Sequence, residues 1–381
     1  MLGITLATAA LSSCTFYTSC PDPNKPPGGT GGTTAVGGAP PTDGGAGGEG
    51  PTPVLVTWTN VTSNLGEETA TPTCGRVTLV HAKPDSMILA GLNESGLWGS
   101  TDGGESWQLL GQGAGSAPLS GLPRSVTVDP DNPSTFWFAT IYGDQGVWRS
   151  DDNGDTFQPQ GMVRHNDLIS IDFADPDRNI MLAGGHEARK TLWRSPDAGQ
   201  TWVDIGMNLP DDSRASSYPL LLGPDLHLLG AAGYAEGVSG IFRTEDAGET
   251  WERVSEIGGF GNPLVAQDGS ILWPSDDGAL ARSVDQGLTW EEVLPKDTLV
   301  GYQALLQLPD ARYAVLTHYE GIKIVSEDFS EVVQVTERIP FETNGFTYSE
   351  PNRAFFTWSR DCSGNEPDDA ILRADFDYEA E

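Results

Sequence analysis

The chain is poor in positive charge and in cysteine. Its 381 residues carry 21 Lys and Arg against 54 Asp and Glu, a formal net charge of −33. Such a surface repels polyanions, which argues against nucleic acid or an anionic bilayer as a partner held by bulk attraction. The four cysteines are Cys14, Cys20, Cys74 and Cys362. They and the five histidines lack the spacing of metal ligands, so neither a metal centre nor a cofactor is expected. No convincing nucleophile elbow is present, and the Gly-rich tract at 28–50 lacks the strand and helix of a phosphate loop. After residue 13 no apolar run is long enough to span a bilayer.

What recurs instead is a short acidic motif, Ser/Thr-x-Asp-x-Gly-x-Thr/Ser-Trp. Good copies begin at Ser100, Ser150, Ser195, Thr244 and Ser283, the second ending in Phe157 where the others end in Trp. A worn sixth copy, Ser326-Glu327-Asp328-Phe329-Ser330, has lost its Gly and Trp. The Asp carboxylate can accept hydrogen bonds from backbone N–H groups round a turn, and the Gly two residues on supplies a positive φ. The Trp opens the next strand with a large apolar surface to bury. Short apolar runs precede the copies, for example Gly96-Leu97-Trp98 and Gly240-Ile241-Phe242. The unit is therefore strand, tight turn, strand. The motif aspartates, Asp102, Asp152, Asp197, Asp246, Asp285 and Asp328, are separated by 50, 45, 49, 39 and 43 residues. A period near 45 with about four short strands per unit is the mark of propeller blades.

The motif resembles the Asp-box, or BNR, repeat of sialidases, sortilin-type ectodomains, xyloglucanases and photosystem II assembly factors. The resemblance covers residues 100–330 and implies an all-β fold: a single seven-bladed β-propeller. The blades are expected at 74–110, 122–160, 166–206, 217–255, 262–294, 302–336 and 342–376, with residues 54–61 closing the last as its fourth strand. Helix should be scarce. Ring closure removes the sheet edges that invite aggregation. In such a ring Cys74 and Cys362 fall on neighbouring blades at one face, and the resemblance then implies a disulfide between them, in keeping with an oxidising compartment.

Residues 1–13 are apolar and small and run into Leu11-Ser12-Ser13-Cys14, which looks like a bacterial lipobox, although no basic residue precedes Lys25. Residues 1–20 are expected to be a lipoprotein signal and anchor, with lipidation at Cys14. Residues 21–53, rich in Gly, Pro and Thr, are expected to be a tether, and 54–381 the propeller. This predicts an exported monomer, held at the outer membrane or cell surface only through its lipid.

In Asp-box propellers the acidic turns lie opposite the usual ligand face, so the resemblance makes the six aspartates structural. The mouth is expected at inner-strand starts and in second-to-third-strand loops. It would gather Arg76, Arg124, Arg164, His165, Tyr142, His186, Tyr234, Tyr302, His318, Tyr319, Trp358 and Arg360. Arg, His and aromatic groups suit an anionic or sugar-like ligand. Two readings follow. The first is a non-catalytic scaffold that recognises a glycan or an envelope protein. The second is an exo-acting, sialidase-like glycoside hydrolase, in which Arg76, Arg124 and Arg164 would clamp a carboxylate. The sialidase Phe/Tyr-Arg-Ile-Pro motif should precede the first box, yet its near match, Glu337-Arg338-Ile339-Pro340, follows the last. A xyloglucanase-type pair of aspartates would need two facing propellers, and one is expected here; Glu94 and Asp276 could face each other across the mouth. The missing catalytic signature favours the scaffold.

Overall fold

A computed structural model describes residues 55–66, 77–93, 95–233, 236–317, 320–359 and 370–379. Cys14, Cys74, Cys362, Arg76, Glu94, Tyr234, His318, Tyr319 and Arg360 lie outside these, as do the expected signal and tether.

The described chain forms seven four-stranded antiparallel sheets. In the first blade they are Val77–Ala82, Ile88–Leu92, Gly96–Ser100 and Gln108–Leu109, from the axis outward. Five more blades repeat this order, with inner strands Leu122–Val128, Asn166–Ile171, Tyr218–Leu221, Leu264–Val265 and Leu305–Gln307. The seventh consists of Thr343–Ser349, Ala354–Ser359 and Ile371–Asp375, completed on the outside by Thr59–Asn60. The fold is therefore the seven-bladed propeller expected, closed by the amino-terminal strand. Among the described residues helix is confined to two short 3-10 turns, Ser63–Gly66 and Gly206–Asn208.

Second strands show why the blades stack. Phe136–Ile141 and Ile88–Leu92 are buried along their whole length, because each lies inside a sheet with another sheet on either face. That is why they read as unbroken apolar runs rather than alternating ones. Leu89 and Leu97 of the first blade pack with Phe136, Phe138 and Trp148 of the second.

The acidic turn joins each blade to the one before. In the third blade the Ser195 hydroxyl accepts the Gly199 N–H at 2.8 Å, while Asp197 accepts the Thr201 N–H at 2.7 Å and its hydroxyl at 2.6 Å. The same bonds recur around Asp102, Asp152, Asp246 and Asp285. The turn glycine has a φ between 81° and 96° in all five copies. A Cβ there would come within 2.7–3.0 Å of the preceding blade: of Val61, Leu110, Gln160, Ile205 and Leu228 in turn. Glycine is needed twice over, for its backbone angle and for the approach. The sixth turn is built differently. Asp328 reaches the N–H of Ser330, two residues on rather than four, and Phe329 stacks on Tyr313 of its own blade at 5.2 Å.

Ring closure is more elaborate than a fourth strand. Thr59 and Asn60 pair with Arg373 and Leu372, but Val56, just before them, bridges in parallel to Thr336 at the end of the sixth blade. The Trp58 indole donates to the Glu337 carbonyl at 2.9 Å. One short segment thus stitches two blades together.

Candidate functional site

Inner-strand starts converge on the axis, as expected. Thr78, Arg124, Asp167, Tyr218, Asn262, Tyr302 and Trp358, one from each blade, line a cavity of about 10 Å³. That volume holds roughly one water molecule. No sugar ring enters it, so a ligand must rest above the plug, on the loops.

Three of these residues are placed by irregularities. Pairing between inner and second strands slips at Thr78, at Arg124 and over Asp167–Leu168. A slip of this kind turns a side chain that the pleat would have sent sideways into the axis.

Arg124 and Asp167 begin a chain of contacts that climbs to the surface between the second and third blades. The Arg124 guanidinium lies 3.9 Å over the Tyr302 ring and donates from Nε to Asp167 Oδ1 at 3.1 Å. The same carboxylate oxygen meets His186 Nδ1 at 2.9 Å, and His186 Nε2 is 3.0 Å from the Tyr142 hydroxyl. Asp167 and His186 are buried; Tyr142 is 59 % exposed, so the chain of contacts opens to solvent at the phenol. The Tyr142 ring stands edge-on to both His165 and His186, at 5.1 and 5.2 Å. Glu187 Oε1 lies 3.6 Å from His186 Nε2.

The electrostatics follow from this packing. Burial would raise the Asp167 carboxyl, but the His186 hydrogen bond and the charges of His186 and Arg124 bring it down to about 2. Burial, and then the Glu187 and Asp167 charges, push the Tyr142 phenol up, so it keeps its proton at neutral pH. The backbone here is strained. Tyr142, His165 and Glu187 have φ values of 59°, 56° and 52°. Left-handed residues other than glycine also occupy the acidic turns and the hairpins of the opposite face, but these three surround one imidazole. Strain of this sort persists where the surroundings over-determine it, and it gathers at functional sites.

The structure brings together Arg124, Tyr142, His165, His186 and Tyr302 of the expected mouth. Trp358 is a buried wall of the axial cavity, not a rim group. Arg164 stays on the rim, 60 % exposed and 3.8 Å from Asp144. The sialidase-like carboxylate clamp is therefore not formed among the described arginines, since Arg124 is spent on Asp167 and Arg164 lies apart. Asp276 is paired with Arg214 at 3.0 Å rather than free to face a second carboxylate. Asp167, another polar group at an inner-strand start, joins Arg124 and His186; the slip that aims it inward has no residue signature.

No family model matches the chain. Among curated proteins it is similar to a probable oligoxyloglucan-reducing end-specific xyloglucanase of Neosartorya fischeri, 25 % identical over 243 residues, covering 55 % of this chain and 28 % of the relative. It is equally similar to a xyloglucanase of Hypocrea jecorina, 25 % identical over 242 residues, covering 51 % of this chain and 28 % of the relative. The chain thus spans little more than a quarter of these relatives' length. Among solved structures it superposes on an ancestral GH74 enzyme with a TM-score of 0.53 and 13 % identity, over 80 % of this chain and 47 % of the other. It also superposes on the extracellular domain of a putative hybrid two-component system from B. thetaiotaomicron. There the TM-score is 0.56 at 13 % identity, over 79 % of this chain and 40 % of the other. These structures share the propeller fold. The curated relatives are enzymes that act on a polysaccharide, which overturns the expectation of a non-catalytic scaffold.

Proposed function

We propose that the chain is a glycoside hydrolase acting on a plant-type β-glucan of the xyloglucan kind, at the surface shelf formed by Tyr142, His165, His186 and Glu187. The observation that carries this reading is the similarity to xyloglucanases over half of the chain. The axial cavity supports it, because no sugar ring fits there and a polysaccharide would be held by the loops above it. Glycosidic bond cleavage needs two carboxyl groups flanking the bond. Glu187, against His186, is the carboxylate placed at this shelf, and Asp144, beside Arg164 on the rim, is the candidate for the second. Glu187 is assigned as the acid that protonates the leaving oxygen. The repeated turns, read as Asp-boxes, hold the opposite face. Export through the amino-terminal segment would bring the domain to an extracellular polysaccharide.

The test is release of reducing ends from xyloglucan by the full-length protein, with Glu187→Gln as the control. Release that falls at least 10²-fold in E187Q supports the proposal. No release from xyloglucan, or undiminished release by E187Q, refutes it.

A further inference from the structure

We propose that the axial cavity is a built site for one ordered water molecule, held by Ser125 of the second blade and by Asn344 and Trp358 of the seventh, and that this water ties the two blades together across the axis. The site stands whether or not the protein cleaves a glucan.

Three atoms carry the proposal. Ser125 Oγ, Asn344 Oδ1 and Trp358 Nε1 are screened from solvent, and none has a hydrogen-bond partner among the described residues. All three residues line the same cavity of about 10 Å³. Ser125 is 7 % and Trp358 2 % exposed, so bulk solvent does not serve them. A buried polar group left unpaired is costly, and folded proteins satisfy nearly all of theirs with protein or with ordered water. A cavity of this size has room for one such molecule.

The backbone presents these groups to the axis. Pairing in the seventh blade slips between Thr343 and Phe346, as it does between Pro123 and Ser125 in the second. A slip takes residues out of the ladder and re-aims their side chains. The Asn344 carbonyl is occupied by the N–H groups of Tyr302 at 2.7 Å and Gln303 at 3.2 Å, which pins this residue against the sixth blade.

The chemistry selects water over an ion. An indole N–H only donates, an amide oxygen only accepts, and a hydroxyl does either. An anion would leave the Asn344 oxygen unpaired, and a cation would face the Trp358 N–H. Arg124 and Asp167, which also line the cavity, are paired with each other at 3.1 Å and offer no net charge. Water accepts from Trp358 Nε1–H, donates to Asn344 Oδ1 and forms its third bond with Ser125 Oγ. Three bonds are usual for a buried water.

The test is a crystal structure of the full-length protein at a resolution that shows ordered water, a second crystal soaked in bromide, and denaturant unfolding of Ser125→Ala. The expected result is one peak within about 2.7–3.2 Å of all three atoms, with no bromide signal there. In S125A the unfolding equilibrium constant should rise about threefold to tenfold, through loss of one hydrogen bond. Were the cavity dry, removing an unpaired hydroxyl would stabilise the fold instead. Trp358→Phe should cost less in S125A than in wild type, because both changes act through the same molecule. An empty cavity, or bromide within it, overturns the site. An S125A variant as stable as wild type or more so, or a Trp358→Phe loss equal in both backgrounds, overturns the tie.

Discussion

Trp107 and Val61 hold the ring shut: the indole N–H of the first acidic turn donates to the Val61 carbonyl at 2.9 Å, just past the closing strand. Asn64 adds two bonds to the Trp107 backbone, at 2.9 and 3.0 Å, and Ser63 another to Glu105. The turn that joins consecutive blades elsewhere here joins the first blade to the last, so the clasp uses the same chemistry as every other joint. Trp107 is 3 % exposed. Trp107→Ala should cost about 3–5 kcal/mol, from lost burial and the cavity left behind. Denaturant unfolding of the variant checks this; a loss below about 1 kcal/mol would mean the strand is held by other contacts.

The turn aspartates should make the fold acid-sensitive. Hydrogen bonds from the Thr244 and Thr250 hydroxyls bring Asp246 to about 2, those of Thr289 and Ser283 do the same for Asp285, and those of Ser330 and Ser326 for Asp328. A carboxyl whose folded value lies below its unfolded value, near 4, stabilises the fold above that pH and stops doing so as pH falls towards the folded value. Melting temperature should therefore drop steeply between about pH 4 and 2. Asp246→Asn should melt lower than wild type at pH 7 and approach it at pH 2. Melts that are flat over this range contradict the account.

A second slope should appear at milder pH. His227 is fully buried, with neither ring nitrogen hydrogen-bonded to protein, and burial lowers it to about 4. The unfolded imidazole takes a proton near pH 6.5, which the folded one resists, so stability falls as pH drops from about 6.5 to 4. The slope is at most about 1.4 kcal/mol per pH unit. Unfolding of His227→Leu at pH 7 and pH 5 should show the loss reduced, the remainder belonging to His81, which burial also lowers to about 4; an unchanged slope contradicts the assignment.

Gly230 approaches the next blade too closely for any side chain. A Cβ there would stand 2.3 Å from the Gly259 carbonyl oxygen, a backbone atom that cannot swing aside. Gly230→Ala should destabilise by about 1–3 kcal/mol. The neighbouring Gly223 is a suitable control, since its Cβ would meet nothing, and Gly223→Ala should be nearly silent.

Arg124 is the counter-charge of the buried network. Arg124→Met keeps the stem but leaves Asp167 with only His186 and Ser217, which should cost about 3–5 kcal/mol by analogy with other broken buried pairs. A thermal melt checks this. A variant as stable as wild type would show that Asp167 does not need the guanidinium.

Blades were legible because a turn that must bond its own backbone uses the same residues each time. Asp102, Asp152, Asp197, Asp246 and Asp285 mark the third-to-fourth-strand corner wherever the motif is intact, and Thr59–Asn60 could be assigned by the missing strand at the other end. The parallel bridge from Val56 to Thr336 was not legible, since a single backbone pairing selects no side chain. Of the expected mouth, Arg124, Tyr142, His165, His186 and Tyr302 were legible and do come together. Trp358 was misplaced because an indole serves a core as readily as a rim. The burial of Asp167 at the axis was not legible, because it depends on a one-residue slip in strand register.

The stopper at the axis, with space for one water, also separates two chemistries. Nothing larger can pass from the imidazole-bearing side to the acidic corners, so the two ends of the barrel communicate only through the rigidity of the sheets between them. A tag, a crosslink or a docking protein attached at the corners would not reach the loops of Tyr142 and His186 through the axis.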